Sequence, residues 1–122
     1  MHELQIAQNI ITIINEELEK NNRTEKVRDV VFVAGRMRAI IPETLTFSFD
    51  VQKKEHRQLS DANLTIREVD IIIQCRDCGA QHSIDEPTFH CKKCLSTNIE
   101  IKSGNELYVD CVELFDGNEE KG

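Results

Sequence analysis

Apolar residues recur along this chain with two different periods. Over residues 3–19, Leu4, Ala7, Ile11, Ile14 and Leu18 follow a 3-4-3-4 spacing, which lays one apolar stripe along a helix. Gln5, Asn9, Thr12, Glu16 and Glu19 fall on the opposite face. Glu3 stands in the first turn, where a carboxylate favours the positive end of the helix dipole, and Asn21-Asn22 supplies a stop. Val27–Ala34 is rich in β-branched residues, carries Phe32 and ends at Gly35, so it predicts a buried strand. Gly35–Ile41 reads as a loop containing Arg36 and Arg38. Pro42 fits the first turn of a second, shorter helix, with Leu45 and Phe49 four apart. The charged stretch Gln52–Ala62 reads as an exposed loop.

Leu64 and Ile66 begin another strand. Val69, Ile71 and Ile73 continue the alternation one residue out of phase. A bulge or a change of partner near Arg67-Glu68 would absorb that slip, so the seam between two parts of the chain is expected there. From Gln74 to Asn98 the hydrophobic pattern gives way to cysteines. Ile99 and Ile101 alternate briefly, Gly104-Asn105 offers a turn, and Leu107–Phe115 predicts a last strand. Residues 116–122 form a polar tail.

Composition narrows the field. The 122 residues are 39% hydrophobic and 30% charged, within the ordinary range of globular proteins. No apolar run approaches the ~20 residues that span a bilayer, and no basic stretch precedes an apolar one at the amino end. A cytoplasmic protein is expected. The net charge of −7, with no Trp and one Tyr, argues against nucleic acid, which asks for a basic surface and stacking platforms. Five cysteines in a reducing compartment point to metal or redox chemistry before structural disulfides.

Cys75-Arg-Asp-Cys78 and Cys91-Lys-Lys-Cys94 are separated by the twelve residues Gly79 to His90. Two residues inside each pair let one tight turn present both sulfurs to one ion, and two such turns complete a tetrahedron around zinc. Paired redox thiols or an iron–sulfur cluster are the other readings. Gly79 can take a positive φ and turn the backbone toward the sulfurs. Arg76, Lys92 and Lys93 would offset the −2 charge of four thiolates and one Zn(II), or are ordinary solvated charges. Four sulfurs close the coordination sphere, so such a zinc is structural: about 30 residues bury too little to fold unaided. Cys111 lies outside the set and is expected to be a small buried hydrophobe in the last strand.

The chain opens Met1-His2-Glu3-Leu4. The α-amine, the amide nitrogen between residues 1 and 2 and the imidazole can form fused chelate rings that suit square-planar Ni(II) or Cu(II). A terminal histidine of no consequence is the plainer alternative, and Glu3 by itself is a helix-dipole partner.

Taken together, these features resemble the hydrogenase nickel-incorporation proteins of the HypA/HybF family. The resemblance rests on Met1-His2-Glu3-Leu4 with Ile6-Ala7-Gln8, on Ile41-Pro42-Glu43 with Leu45 and Phe47, on both cysteine pairs, and on Ser103-Gly104-Asn105-Glu106-Leu107. It covers the chain from residue 1 to about residue 114. It implies an α+β fold: two helices packed on a small mixed sheet as a nickel-binding domain (1–69 with 103–115), and an inserted four-cysteine zinc ribbon (70–102). It further implies nickel binding by Met1, His2 and Glu3, with His2 the essential ligand and Glu3 in support, and zinc binding by Cys75, Cys78, Cys91 and Cys94. Two departures stand out. Gly35-Arg36-Met37-Arg38 replaces the family's usual Gly-Glu-Leu-Ser, and Leu95 follows the second pair where glycine is usual. His82 and His90 are candidate extra nickel ligands should the ribbon approach His2, or else ordinary surface histidines.

The function so implied is that of a nickel metallochaperone, not an enzyme, that carries Ni(II) as transient cargo beside a structural Zn(II). Its expected partners are the GTPase HypB, the precursor of the [NiFe]-hydrogenase large subunit and urease accessory proteins, with the chain a monomer or weak homodimer. The reading from another class is a zinc-ribbon interaction module binding protein or nucleic acid, in which His2 has no role.

Overall fold

A computed structural model describes residues 3–85 and 89–115. Helix α1 (Glu3–Lys20) leads into strand β1 (Val27–Gly35), a 3-10 turn (Arg36–Arg38) and helix α2 (Pro42–Lys53). Strands β2 (Asn63–Val69), β3 (Ile71–Cys75), β4 (Gln81–Ile84), β5 (Ile99–Ser103) and β6 (Leu107–Leu114) follow. The strands form two three-stranded sheets, ordered β2-β1-β6 and β4-β3-β5. The fold is α+β, as the sequence implied. Two compact units divide the described chain: one holds residues up to Phe32, Ile40–Ile66 and those from Val109 onward, the other Val33–Ala39 and Arg67–Tyr108.

In the first unit α1 and α2 pack together. α1 buries Ile6, Ala7, Ile10, Ile11, Ile14 and Leu18, a wider stripe than the sequence suggested. Leu4, expected on that stripe, is 67% exposed, while Ile6 and Ile10 fill the core beside Ala7 and Ile14. The reason is the width of the contact: an apolar face of 100° or more takes in residues on both sides of the narrow seam. α1 ends where expected. Asn22 takes a left-handed φ of 54°, and the Arg23 and Asn22 N–H groups donate to the carbonyls of Leu18 and Glu19. That pattern satisfies the last carbonyls of a helix.

Pro42 opens α2, and Leu45 and Phe49 are fully buried. The segment after α2 corrects the expectation of an exposed loop, because Leu59 and Ala62 are completely inaccessible. Successive turns (His56 N–H to Lys53 C=O, Leu59 to His56, Ala62 to Leu59) coil it back onto the core. Its polar residues mask two apolar anchors that have no periodic neighbours.

In the second unit β3 pairs antiparallel with both β4 and β5, and a register shift falls between Ile72 and Ile73. Ile71, Ile73 and Ile84 form its core, with Met37 and Ile99 against them. The two units part between Ile66 and Arg67, where the sequence placed the seam, while β2 itself runs on to Val69 and the chain changes sheets at Asp70. β4 lies inside the stretch whose hydrophobic pattern had collapsed. Its burial rests on Ile84 alone, too little to announce a strand.

Candidate metal centre

Each cysteine pair sits in the same backbone turn. In the first, the Cys75 N–H donates to Ala80 C=O (2.8 Å), the Gly79 N–H to Cys75 C=O (2.9 Å), and the Cys78 N–H to Cys75 Sγ (3.4 Å). The second repeats it: Cys91 N–H to Ser96 C=O (2.8 Å), Leu95 N–H to Cys91 C=O (2.9 Å), Cys94 N–H to Cys91 Sγ (3.4 Å). Gly79 and Leu95 occupy matching places, with φ of 78° and 62°. Leu95 therefore makes a turn that only glycine adopts without steric penalty, although its side chain is 72% exposed.

The four sulfurs lie within 4.8 Å of one another. Cys75 and Cys94 Sγ are 3.5 Å apart, Cys78 and Cys91 Sγ 3.6 Å. Sulfurs at about 2.3 Å from a tetrahedral zinc would stand about 3.8 Å apart, so the donor set fits such an ion with little adjustment. Among the described residues, this is the one cluster of three or more metal-ligating side chains. Four soft donors around one ion would leave no place for water or substrate.

The N–H groups aimed at sulfur set the protonation of the metal-free cluster. That of Cys94, then the His82 side chain and the Lys93 N–H, draw the Cys91 thiol down to about 5 against the cost of burial. The Ser96 N–H acts in the same sense on Cys94. Hydrogen bonding to Cys75, burial and the remaining thiols outweigh it and push Cys94 up to about 12. Cys75 is lowered, chiefly by the Cys78 N–H. Cys78 is raised: the Ala80 N–H draws it down, but the bond to Cys91 and burial prevail. In this arrangement the four thiols are unequal, Cys91 and Cys75 being the readier to lose a proton and Cys94 and Cys78 the less ready.

His82 Nε2 lies 3.4 Å from Cys91 Sγ, and His90 is half-buried directly before Cys91. Met1 and His2, the expected nickel ligands, lie outside the described residues. The Glu3 carboxylate accepts a hydrogen bond from the Ile41 N–H (3.2 Å), which places a negative charge at the start of α2 as well as of its own helix. Arg36, in the position where the family usually has glutamate, pairs with Asp70 (2.8 Å), and Arg38 donates to the Asn105 carbonyl (3.1 Å).

Cys111 corrects another expectation. It is exposed because the alternation of covered and exposed residues along β6 slips between Asp110 and Cys111, both of which are exposed. Sequence reasoning also missed Asp77, whose carboxylate accepts from the Ser96 hydroxyl and from Asn98 Nδ2 (3.0 Å). Those donors hold the Asp77 carboxyl below the usual carboxylate range. The available signal was positional: a short acceptor within one knuckle and short polar residues just after the other.

Comparison with known proteins agrees with this geometry. Residues 1–114 match the family model described as hydrogenase/urease nickel incorporation, metallochaperone, hypA. The hydrogenase maturation factor HypA of Desulfatibacillum aliphaticivorans is 36% identical over 121 residues, which cover 99% of this chain and 92% of that one. That of Solidesulfovibrio magneticus is 35% identical over 118 residues, covering 93% and 99%. The solution structure of the Ni metallochaperone HypA from Helicobacter pylori superposes with a TM-score of 0.66 at 27% identity, covering 94% of this chain and 98% of that one. From its opening residues through β6, the chain belongs to the HypA family.

Proposed function

We propose that this protein is a nickel carrier that accepts Ni(II) at its amino terminus, delivers it for [NiFe]-hydrogenase maturation, and holds a structural Zn(II) between its cysteine pairs. The observation that carries the zinc half is the set of four clustered sulfurs, which no further metal-ligating side chain joins among the described residues. The nickel half rests on Met1-His2-Glu3 in a chain of this family. The terminal amine, the first amide nitrogen and the His2 imidazole offer three nitrogens in fused rings, leaving one in-plane position for handover. A delivery site of this kind is accessible and releases its cargo readily. Glu3 supports it from the first turn of α1, and His82 and His90 are candidate further ligands.

In this reading residues 1–69 with 103–115 handle nickel and residues 70–102 form the zinc ribbon. When bound, zinc supplies the stability that a segment of this size lacks. The protein acts in the cytoplasm as a carrier, with the GTPase HypB and the hydrogenase large-subunit precursor as partners and urease accessory proteins as further recipients. Native mass spectrometry of the untagged chain, before and after one equivalent of nickel, tests it. One zinc per chain is expected, with one added nickel that disappears in His2→Ala. Nickel retained by His2→Ala would overturn the amino-terminal site.

A further inference from the structure

The four sulfurs come from two knuckles far apart in sequence, so something must hold the knuckles in register. The ladder between β3 and β5 does part of this, and Cys75 sits opposite Ile99 at its end. Beyond that point the Arg76 N–H donates to the Asn98 carbonyl (2.9 Å). Asp77 then binds across the gap with both carboxylate oxygens. Oδ2 accepts from the Ser96 hydroxyl and Oδ1 from Asn98 Nδ2 (3.0 Å). The Asn98 N–H donates to Ser96 Oγ (3.0 Å), so the two donors also brace each other. Ser96 belongs to the second knuckle itself, because its carbonyl receives the Cys91 N–H.

We propose that Asp77, through Ser96 and Asn98, is a clasp that positions the two cysteine knuckles for one metal ion and slows that ion's release. It touches no metal, so it is a positioning residue. The chemistry suits the task. A carboxylate is acceptor-only and offers two oxygens, and bonds to a charged acceptor are stronger than neutral ones. Either knuckle can move away from the metal only by breaking this ring. The inference rests on the four-cysteine metal reading and extends it.

The test uses the full-length zinc-loaded chain and follows zinc transfer to the chromogenic chelator 4-(2-pyridylazo)resorcinol. Asp77→Ala is expected to release zinc about tenfold faster, the low end of the loss for a bond to a charged group because the site is exposed. Ser96→Ala should give a smaller increase, and Asp77→Asn, which keeps one acceptor oxygen, an intermediate one. The double variant Asp77→Ala/Ser96→Ala should fall well short of the two single effects combined, since the Asp77–Ser96 bond is lost in both and Ser96→Ala adds only the loss of its bond from the Asn98 N–H. In the Co(II)-substituted protein, the thiolate-to-metal absorption bands should keep their positions in every variant, because all four sulfur ligands remain. General destabilisation of the ribbon would instead give additive effects, and a loss of a sulfur ligand would shift those bands. Release from Asp77→Ala within twofold of the parent, or additivity in the double variant, would overturn the clasp. A parent chain with no thiolate-to-Co(II) bands would overturn the metal reading and the clasp with it. Normal bands with unchanged rates would overturn the clasp alone.

Discussion

Gly35 and Gly104 meet backbone to backbone: a Cβ on Gly35 would stand 2.0 Å from the Gly104 carbonyl oxygen. The contact is held by the Gly35 N–H donating to Glu106 C=O (2.7 Å) and the Met37 N–H to Gly104 C=O (2.9 Å). Gly104 is itself constrained, with φ of 109° and Ile71 Cα 2.7 Å from its own would-be Cβ. Because the obstacle is main chain, Gly35→Ala cannot be absorbed by a rotamer change. It should lower stability by about 3 kcal/mol or more, read as a reduced midpoint in urea unfolding of the zinc-loaded chain. An unchanged midpoint would mean that the two segments do not approach this closely.

Leu95 invites the opposite substitution. Its left-handed φ of 62° carries a steric penalty, and its 72% exposure means little burial would be lost. Leu95→Gly should therefore stabilise the metal-bound ribbon by about 1 kcal/mol, offset in part by the freedom glycine has when unfolded. Competition with a chelator of known zinc affinity would show this as roughly threefold to fivefold tighter retention. Weaker retention would show that the leucine side chain contributes something its exposure conceals.

Zinc uptake should be proton-coupled in a particular way. At pH 7 Cys91, drawn down to about 5, is already thiolate, whereas Cys94 at about 12 and the raised Cys78 are thiols. Binding should release roughly two to three protons rather than four, measurable by calorimetry in buffers of different ionisation enthalpy. The signs for the metal-free fold follow from the ordinary thiol value of 9.0. The Cys91 contribution is full above that value and is lost as pH falls through about 5. The Cys94 contribution is full below it and is lost as pH rises through about 12. Release of four protons at pH 7 would show that no thiolate is preformed.

The helix correction is directly testable. Ile10 is 1% exposed and Leu4 67%, so Ile10→Ala should cost about 2–5 kcal/mol and Leu4→Ser about 0.5 kcal/mol or less. Thermal unfolding followed by circular dichroism separates them. A comparable loss from Leu4→Ser would place Leu4 in an apolar contact.

What could be read from the sequence was whatever repeats or has a fixed spacing. The 3-4-3-4 run showed α1, Pro42 with Leu45 and Phe49 showed α2, and the two cysteine pairs showed the cluster that brings four sulfurs together. What could not be read lacks a period. Leu59 and Ala62 are single anchors within a charged segment, and β4 buries one isoleucine. Cys111 was misplaced because an alternation that slips by one residue still looks regular over its first half. The Asp77–Ser96–Asn98 ring depends on two segments about twenty residues apart adopting the same turn. Only the backbone reveals that.

The division into two units also has a consequence for synthesis. The described chain passes from one unit to the other at Phe32/Val33, Ala39/Ile40, Ile66/Arg67 and Tyr108/Val109. On the ribosome α1 emerges early, but the Arg28–Glu113 ion pair and the bond from the Phe115 N–H to the Lys26 carbonyl form only with the last described residues. Every cysteine of the four-sulfur cluster is translated before them. The first unit therefore cannot close until the whole of the second has been made, so the fold of its two helices waits on residues synthesised after every cysteine of the cluster.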